Sequence, residues 1–191
     1  MIGGNPVKID FTMAYEADPK YCEVGYHTTF LIHKDHILKQ GFVKSNNSNE
    51  WLGEGVYFWD CEENALWWKK SSRSIKRCIL VCELSCPRSS YLDLDNPNQM
   101  EKFDLYLKKY MKEFKKTKAL KPKFATNNEC RKFYCDIYCS HNNICILSFT
   151  FEHDKISSFG FKVGVEKRRQ ICVRDESCIS IMEVKEGLHD V

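Results

Sequence analysis

The chain places a histidine at the end of a predicted strand, in the segment Tyr26-His-Thr-Thr29. An imidazole offers one hydrogen-bond donor and one acceptor, which suits it to hold a ribose hydroxyl. A histidine in such a position is also common in protein cores, where the backbone satisfies the ring. His27 is therefore a candidate binding residue whose role depends on the residues beside it.

A glycine-flanked turn delivers an aromatic ring in the segment Leu52-Gly-Glu-Gly-Val-Tyr-Phe-Trp59. Gly53 and Gly55 permit positive φ and let the backbone approach a ligand closely. Tyr57 follows them and offers a face for stacking, worth about 1 kcal/mol beyond its buried area. A tight turn into a strand and ordinary core packing are the alternative explanations. Together with His27, this segment predicts a pocket for a flat heterocycle and its sugar.

Length and composition indicate one globular domain that spans residues 1–191. No run of roughly eighteen apolar residues is present, so we expect no membrane helix and no membrane partner. The N-terminal segment lacks the charged-then-apolar pattern of a secretion signal. The 11 cysteines fall mostly within apolar patterns, where a reduced thiol behaves as a small hydrophobe, and this favours a cytoplasmic location. The net charge of +3 is too small by itself to indicate a polyanionic partner.

The order of the predicted elements indicates an α+β domain with a largely antiparallel sheet, because strands stand before and after a helical region without regular alternation. A helix ending at Gly41 and an apolar stripe from Met100 to Phe114 are the clearest helical signals. Asp60 and Glu63 predict a capping box at the start of another helix. Strands are predicted over residues 7–13, 26–31, 55–59, 77–84, 90–94, 144–151, 170–174 and 178–184, and helices over 34–40, from 60 onward, 100–114 and 127–138.

The order of the motifs resembles the diphtheria-toxin/PARP branch of the ADP-ribosyltransferases. That family combines a histidine in an early strand, a Gly-x-Gly-Val/Ile-Tyr-Phe turn, and a helix with an aromatic residue on its inner face. His27 and Tyr57 match the first two features, and Trp68, eleven residues after Tyr57, matches the third. Trp67 is the alternative if the register slips by one. The family's third catalytic position begins a late strand, and Gln170 stands at the corresponding place, which gives the His-Tyr-Gln form of the motif.

This resemblance implies an ADP-ribosyltransferase-like fold, with a split and largely antiparallel sheet, and NAD as the substrate. Tyr57 and Trp68 would sandwich the nicotinamide ring, and His27 would bind the adenosine ribose. The backbone of Thr28, which stands where the family has glycine, would grip the nicotinamide carboxamide. The NAD-binding set is completed by the turn residues Gly53, Gly55 and Phe58.

Gln170 departs from the glutamate that is typical of the family. Its amide can position a ribose hydroxyl, but it brings no charge and cannot act as a base. The nearest carboxylate, Glu166, would need a register shift to replace it. We therefore expect His27, Tyr57 and Gln170 to form the catalytic set, with transfer of one ADP-ribose unit rather than polymer formation. The acceptor should be reactive in its own right or supply its own base.

The resemblance also implies a macromolecular acceptor, either a protein or a nucleic acid. Residues 105–123 contain eight lysines against one acid, Glu113, and could track phosphates or form the solvated face of a helix. The cluster Lys167-Arg-Arg169 directly precedes Gln170, on the loop that faces the acceptor in the family, and favours an acidic or phosphate-bearing target. Small members of this kind are similar to bacterial toxin or phage-defence effectors, which implies an antitoxin or immunity partner.

Two other interpretations stay open at this point. The chain could be an NAD-binding module of the same fold without transferase activity, and Gln170 is the residue that favours this interpretation. The second is a structural zinc site, whose ligands would match the usual spacing only loosely and would come from Cys130, Cys135, Cys139, His141 and Cys145.

Overall fold

The computed structural model describes residues 18–47, 50–70, 76–116 and 122–186, with the side chains of Lys69 and Lys70 left out of the description. These residues form a mixed α+β arrangement in which four α-helices pack around one seven-stranded, mostly antiparallel sheet. The strand predicted over residues 7–13 lies outside the described residues. Among the described helices, none is both long and apolar enough to cross a membrane.

The elements follow one another in the order strand, helix, strand, helix, then two strands, two helices and three strands. The sheet order is β4-β5-β6-β2-β1-β3-β7, and β4–β5 is its one parallel pair. The strands are β1 Lys20–Phe30, β2 Val56–Trp59, β3 Arg77–Pro87, β4 Tyr91–Asp93, β5 Ile146–Ile156, β6 Lys162–Val173 and β7 Ile179–Lys185. The α-helices are α1 Leu31–Gln40, α2 Glu62–Lys70, α3 Pro97–Lys116 and α4 Asn127–Asn142.

The central strands β1 and β2 separate almost as soon as they meet. β1 pairs with β3 along its whole length, and all four residues of β2 pair with β6. Between β1 and β2, however, the register holds one pair, Tyr26 with Trp59. Beyond this pair the edge of β2 that faces β1 carries backbone groups outside the ladder. A gap therefore opens in the middle of the sheet.

Both faces of the sheet are covered. One face packs Phe58, Leu80 and Ile171 against Ile37 of α1 and Phe42 in a single core cluster. The other face carries two clusters. Leu52 and Cys172 pack there with Cys135 and Cys139 of α4, and Trp59 packs with Ala65 of α2. Since neighbouring residues of a strand point to opposite faces, Tyr57 and Phe58 serve different cores.

The helix that follows β2 begins later than its sequence predicts. α2 starts at Glu62, and the carbonyl of Cys61 accepts a hydrogen bond from the backbone N–H of Ala65 at 3.3 Å. Asp60 Oδ1 instead accepts from the side-chain amide of Asn64 at 2.8 Å. The predicted capping role of Asp60 is therefore wrong, because Asp60 stands two residues before the helix and its carboxylate binds the side chain of Asn64.

Two other helix ends agree with their local sequence. α1 ends at Gly41, whose φ of 87° is the left-handed conformation expected of a glycine stop. α4 begins at an N-cap in which Thr126 Oγ1 accepts from the backbone N–H of Glu129 at 3.1 Å. The carboxylate of Glu129 accepts in return from the N–H of Ala125 at 2.8 Å. This cap fixes the start of α4 beside the gap between β1 and β2.

The largest departure from the predicted elements concerns the last hairpin. The strand predicted over residues 170–174 is the C-terminal end of the longer β6, Lys162–Val173. β6 pairs with β5 from Lys162 to Val173, so Lys167-Arg-Arg169 belongs to the sheet and not to a loop. The continuous run of charged residues from Glu166 to Arg169 hides the strand, because it interrupts the apolar alternation by which a strand is recognised.

Candidate functional site

A cavity of about 740 Å³ lies at the gap between β1 and β2. All four residues of β2 line it, which places the free edge of that strand along one wall. Ser45, Asn47 and Glu50 of the preceding loop and Asn128 of α4 line it as well. Seven of the eight predicted site residues are among its lining residues: His27, Thr28, Gly55, Tyr57, Phe58, Trp68 and Gln170.

His27 stands on β1 immediately after the one residue pair that joins the two strands. Its Nδ1 lies 2.8 Å from the carbonyl oxygen of Tyr57. Because a carbonyl only accepts, we assign the imidazole proton to Nδ1, which leaves Nε2 as an acceptor. Burial lowers the pKa of His27 despite this bond, so the ring is neutral at pH 7. His27 can therefore donate from Nδ1 to the backbone and still offer Nε2 to a ligand.

Tyr57 uses its hydroxyl to close the loop that precedes it. The hydroxyl donates to the carbonyl oxygen of Gly53 at 2.6 Å and accepts from the backbone N–H of Leu52 at 2.9 Å. Burial raises the pKa of Tyr57, and the neighbouring Cys172 and Glu50 raise it further. The hydroxyl is therefore protonated, and both of its hydrogen bonds are made within the loop. Tyr57 contributes its aromatic ring to the cavity.

The two glycines are required by protein neighbours. Gly53 has a φ of 101°, and a Cβ there would lie 2.4 Å from Oδ1 of Asp136. A Cβ on Gly55 would lie 2.5 Å from the Sγ atom of Cys172. Gly55 still lines the cavity, whereas Gly53 stands outside its lining residues. The glycine turn therefore lets the loop lie against α4 and β6, and this fixes the start of β2.

Asp136 anchors this turn from α4. Its Oδ1 accepts from the backbone N–H of Glu54 at 2.8 Å and from Nη1 of Arg174 at 2.7 Å, and Lys132 donates to its Oδ2 at 2.9 Å. Burial alone raises the pKa of Asp136, but these three hydrogen bonds outweigh burial and lower it below the usual value. A carboxylate that stays ionised thus ties the helix to the glycine turn.

Of the two adjacent tryptophans on α2, Trp68 lines the cavity and Trp67 does not. Trp67 meets Trp59 edge-on, with ring centroids 6.0 Å apart, and the guanidinium of Arg168 lies 4.0 Å from its ring centroid. Trp68 is 46% exposed, which suits a residue at the rim of an open site. The position eleven residues after Tyr57 is therefore the one that reaches the cavity.

Gln170 contributes a buried oxygen without a partner. It pairs with Trp59 of β2 and Phe149 of β5, which sets its side chain on the face that carries Tyr57. Its Oε1 is buried and accepts no hydrogen bond from the residues that the structure describes. Leaving a buried carbonyl unsatisfied costs about 1–3 kcal/mol. A hydroxyl or amide of a ligand could donate a hydrogen bond to this unpaired oxygen.

The predicted acceptor-facing basic loop is wrong. Arg168 is buried, donates to Oδ1 of Asn64 at 2.6 Å and forms an ion pair with Glu166. Arg169 forms an ion pair with Glu23 and donates to the hydroxyl of Tyr91 at 2.8 Å. Both guanidinium groups are paired with other side chains of the domain, so they are not available to an external acceptor.

Glu166 does not stand beside Gln170. The two residues share a face of β6 but are four positions apart, about 13 Å along a strand. The carboxylate of Glu166 is bound to Arg168 and lies 3.8 Å from Lys155. In the observed register it cannot serve the cavity.

Four polar residues that line the cavity, three of one loop and Asn128 of α4, escaped the sequence interpretation. Ser45, Asn47 and Glu50 belong to a segment whose composition predicts a polar connecting loop, yet all three line the cavity. The backbone of Ser45 pairs with that of Gly55, so the loop folds back beside β2. The one local signal was a single acid directly before the glycine turn.

The cysteines predicted as zinc ligands are not gathered into one site. Cys135 and Cys139 are buried in the core cluster of α4, where burial raises the pKa of Cys139 to about 12. Within the described residues, one group of three side chains of types that can bind a metal has its ligand atoms within 4.8 Å of one another, and it consists of Cys145, Asp175 and Cys178.

Comparison with known proteins finds a distant similarity to an archaeal protein. No protein-family model matches the chain. Over 90 residues, the chain is 30% identical to the Uncharacterized protein MJ0359 of Methanocaldococcus jannaschii. The match covers 44% of this chain and 42% of the archaeal protein, so the chain spans less than half the length of that relative. This similarity assigns no activity.

Proposed function

We propose that the chain is an NAD-dependent ADP-ribosyltransferase that transfers a single ADP-ribose unit to a macromolecule. One observation carries this proposal. A histidine, a tyrosine, a tryptophan and a glutamine from four separate segments line one cavity, and the order of these residues is that of the family which the sequence resembles. The gap between β1 and β2 is consistent with the split sheet of that family.

The cavity suggests a role for each of these residues. The rings of Tyr57 and Trp68 clamp the nicotinamide, and stacking of this kind contributes about 1 kcal/mol for each ring. Nε2 of His27 accepts a hydrogen bond from a hydroxyl of the adenosine ribose. The amide of Gln170 binds the ribose that carries nicotinamide. The backbone of Thr28 binds the carboxamide.

The reaction breaks the bond between C1′ of the ribose and the ring nitrogen of nicotinamide. The electron pair of that bond leaves with the nitrogen, so nicotinamide departs as a neutral molecule and no general acid is obligatory. The sugar passes through an oxocarbenium-like transition state, as in glycoside hydrolysis. Holding NAD bent and excluding water accelerate this step.

We propose a protein or a nucleic acid as the acceptor. Five lysines of α3, which are Lys108, Lys109, Lys112, Lys115 and Lys116, are exposed and offer a basic surface for either class. The proposed biological role is that of a cytoplasmic toxin or phage-defence effector with an antitoxin or immunity partner. This role rests on the resemblance of the sequence.

The second candidate is an NAD-binding module without transfer. The amide at position 170 favours it, since a glutamine cannot accept a proton from an acceptor. Nicotinamide release separates the two candidates. An enzyme liberates nicotinamide from NAD over time, whereas a module binds NAD and returns it intact.

The acceptor class is tested by incubating the purified protein with cell lysate and NAD labelled in its adenylate phosphate. The proposal predicts label in acid-insoluble material together with release of nicotinamide. Digestion of parallel samples with protease and with nuclease then identifies the acceptor by which treatment removes the label. Binding of NAD with neither release nor incorporation would contradict the transferase.

A further inference from the structure

The cavity contains a carboxylate that the resemblance does not include. Among the described lining residues, Glu50 is the one acidic side chain. It belongs to the loop between α1 and β2, three residues before Gly53. It lines the same cavity as Gln170, whose amide stands where the resemblance expects a carboxylate.

Hydrogen bonds within the loop hold Glu50 in place. The backbone N–H of Ser45 donates to the carbonyl of Gly55 at 2.8 Å, and the N–H of Gly55 donates back at 3.1 Å. The N–H of Glu50 donates to the carbonyl of Asn47 at 3.2 Å. The side-chain amide of Asn47 donates to Oγ of Ser45 at 3.0 Å, and the Ser45 hydroxyl donates to Oε1 of Glu50.

This arrangement commits one carboxylate oxygen of Glu50 and leaves the other. Oε1 is held by Ser45, and none of the described residues donates to Oε2. The charge of Glu50 reaches Tyr57, where it adds to the rise in the pKa of the phenol after burial and Cys172. Glu50 and Tyr57, the residue proposed to clamp nicotinamide, also line the same cavity.

Other nearby carboxylates do not line the cavity. Glu166 is paired with Arg168, and Asp136 is bound by Arg174 and Lys132. Glu54 is exposed and is not among the lining residues of the cavity. Of these four carboxylates, Glu50 is the one that can face a bound substrate.

We propose that Glu50 supplies the carboxylate that position 170 lacks, and this inference rests on the proposed transferase function. Its negative charge stabilises the positive charge that develops on the ribose as nicotinamide leaves. When an acceptor hydroxyl forms its bond to C1′, the hydroxyl proton passes to Glu50 and then to water. The products are nicotinamide, the ADP-ribosylated acceptor and one proton. The acceptor consequently needs no base of its own.

The inference is tested with Glu50→Gln and the matched control Glu54→Gln, using nicotinamide release from labelled NAD as the readout. The amide introduced by Glu50→Gln keeps an oxygen for the Ser45 hydroxyl but lacks the charge. We expect Glu50→Gln to slow release by about 100-fold, the lower end of what a positioned acid or base contributes. NAD affinity should change by less than about threefold, and Glu54→Gln should retain the wild-type rate.

A rescue separates a catalytic role from a structural one. In the double variant Glu50→Gln/Gln170→Glu, a carboxylate returns to the cavity at position 170, and release should recover at least about tenfold over Glu50→Gln. If the role of Glu50 were structural only, Glu50→Gln would lower the melting temperature, and adding Gln170→Glu would not restore nicotinamide release. If the wild type releases nicotinamide and Glu50→Gln releases it at the same rate, this inference alone is overturned. Absence of release from the wild type overturns the transferase proposal, and this inference falls with it.

Discussion

Nδ1 of His27 lies 2.8 Å from the carbonyl oxygen of Tyr57, so a side chain of β1 bonds to the backbone of β2 where the two strands separate. Where paired strands would be joined by a hydrogen bond between backbone groups, this bond joins a side chain to the backbone and orients the imidazole. The same contact fixes the tautomer, and it leaves Nε2 to accept a hydrogen bond at the cavity.

Substitution of His27 by asparagine should separate its two roles. The amide nitrogen of Asn can occupy the position of Nδ1 and keep the bond to Tyr57, but it offers no acceptor in place of Nε2. We expect NAD affinity to fall about tenfold, which corresponds to roughly 1.4 kcal/mol, with little loss of stability. His27→Ala should also lose stability, because it leaves the carbonyl of Tyr57 unpaired. Calorimetric NAD titration and urea unfolding measure the two effects, and equal affinity of wild type and His27→Asn would contradict the role of Nε2.

The stability of the fold should decrease as the pH falls below about 6.5. Burial lowers the pKa of His27 from its usual value of 6.5, and burial together with the charge of Arg168 lowers that of His153. The unfolded chain then binds protons on these imidazoles at a higher pH than the folded chain, so acidification favours unfolding. Urea unfolding at a series of pH values from neutral to mildly acidic checks this. The variant His27→Asn/His153→Asn should show a shallower decrease, and an unchanged slope would show that other groups control it.

The adjacent tryptophans of α2 provide a matched pair for the stacking role. Trp68 lines the cavity, while Trp67 packs against Trp59 and beneath Arg168. Trp68→Ala should weaken NAD binding by about tenfold, near the upper end of what an aromatic stack contributes. Trp67→Ala should lower thermal stability and leave the intrinsic affinity close to that of the wild type. The reverse pattern in NAD titrations would show that the register is displaced by one residue.

Replacement of Gln170 by methionine should stabilise the protein while impairing function. The side chains have similar volumes, but methionine removes the amide oxygen that is buried without a partner. We expect the free energy of unfolding to rise by about 1 kcal/mol in the absence of NAD. Nicotinamide release should be abolished, and added NAD should raise the melting temperature less than it does for the wild type. A destabilised variant would mean that the oxygen is already satisfied in the folded protein.

Seven of the eight residues singled out from the sequence line one cavity, and the signals that mark them are local. A strand-terminal histidine, a glycine turn and an aromatic residue at a fixed helical distance each depend on short-range patterns. The mixed α+β class with a largely antiparallel sheet is confirmed for the same reason. Trp68 reaches the cavity because α2 follows β2 directly, which leaves little freedom in how the helix faces the sheet.

The failures arise where long-range pairing decides the structure. The local sequence around Arg168 and Arg169 predicts an exposed basic loop, but their partners Asn64 and Glu23 stand more than a hundred residues away in the chain. Glu50 is predicted as part of a polar connection, because its placement depends on the pairing of Ser45 with Gly55. Neither relationship leaves a periodic pattern in the sequence.

A crystal structure of the protein with a non-hydrolysable NAD analogue tests the central claim most directly. We expect the nicotinamide ring to lie between the rings of Tyr57 and Trp68, with a hydroxyl of the adenosine ribose within hydrogen-bond distance of Nε2 of His27. Its near ribose should contact the amide of Gln170. Binding of the analogue elsewhere, or an empty cavity at saturating analogue, would contradict the proposed transferase.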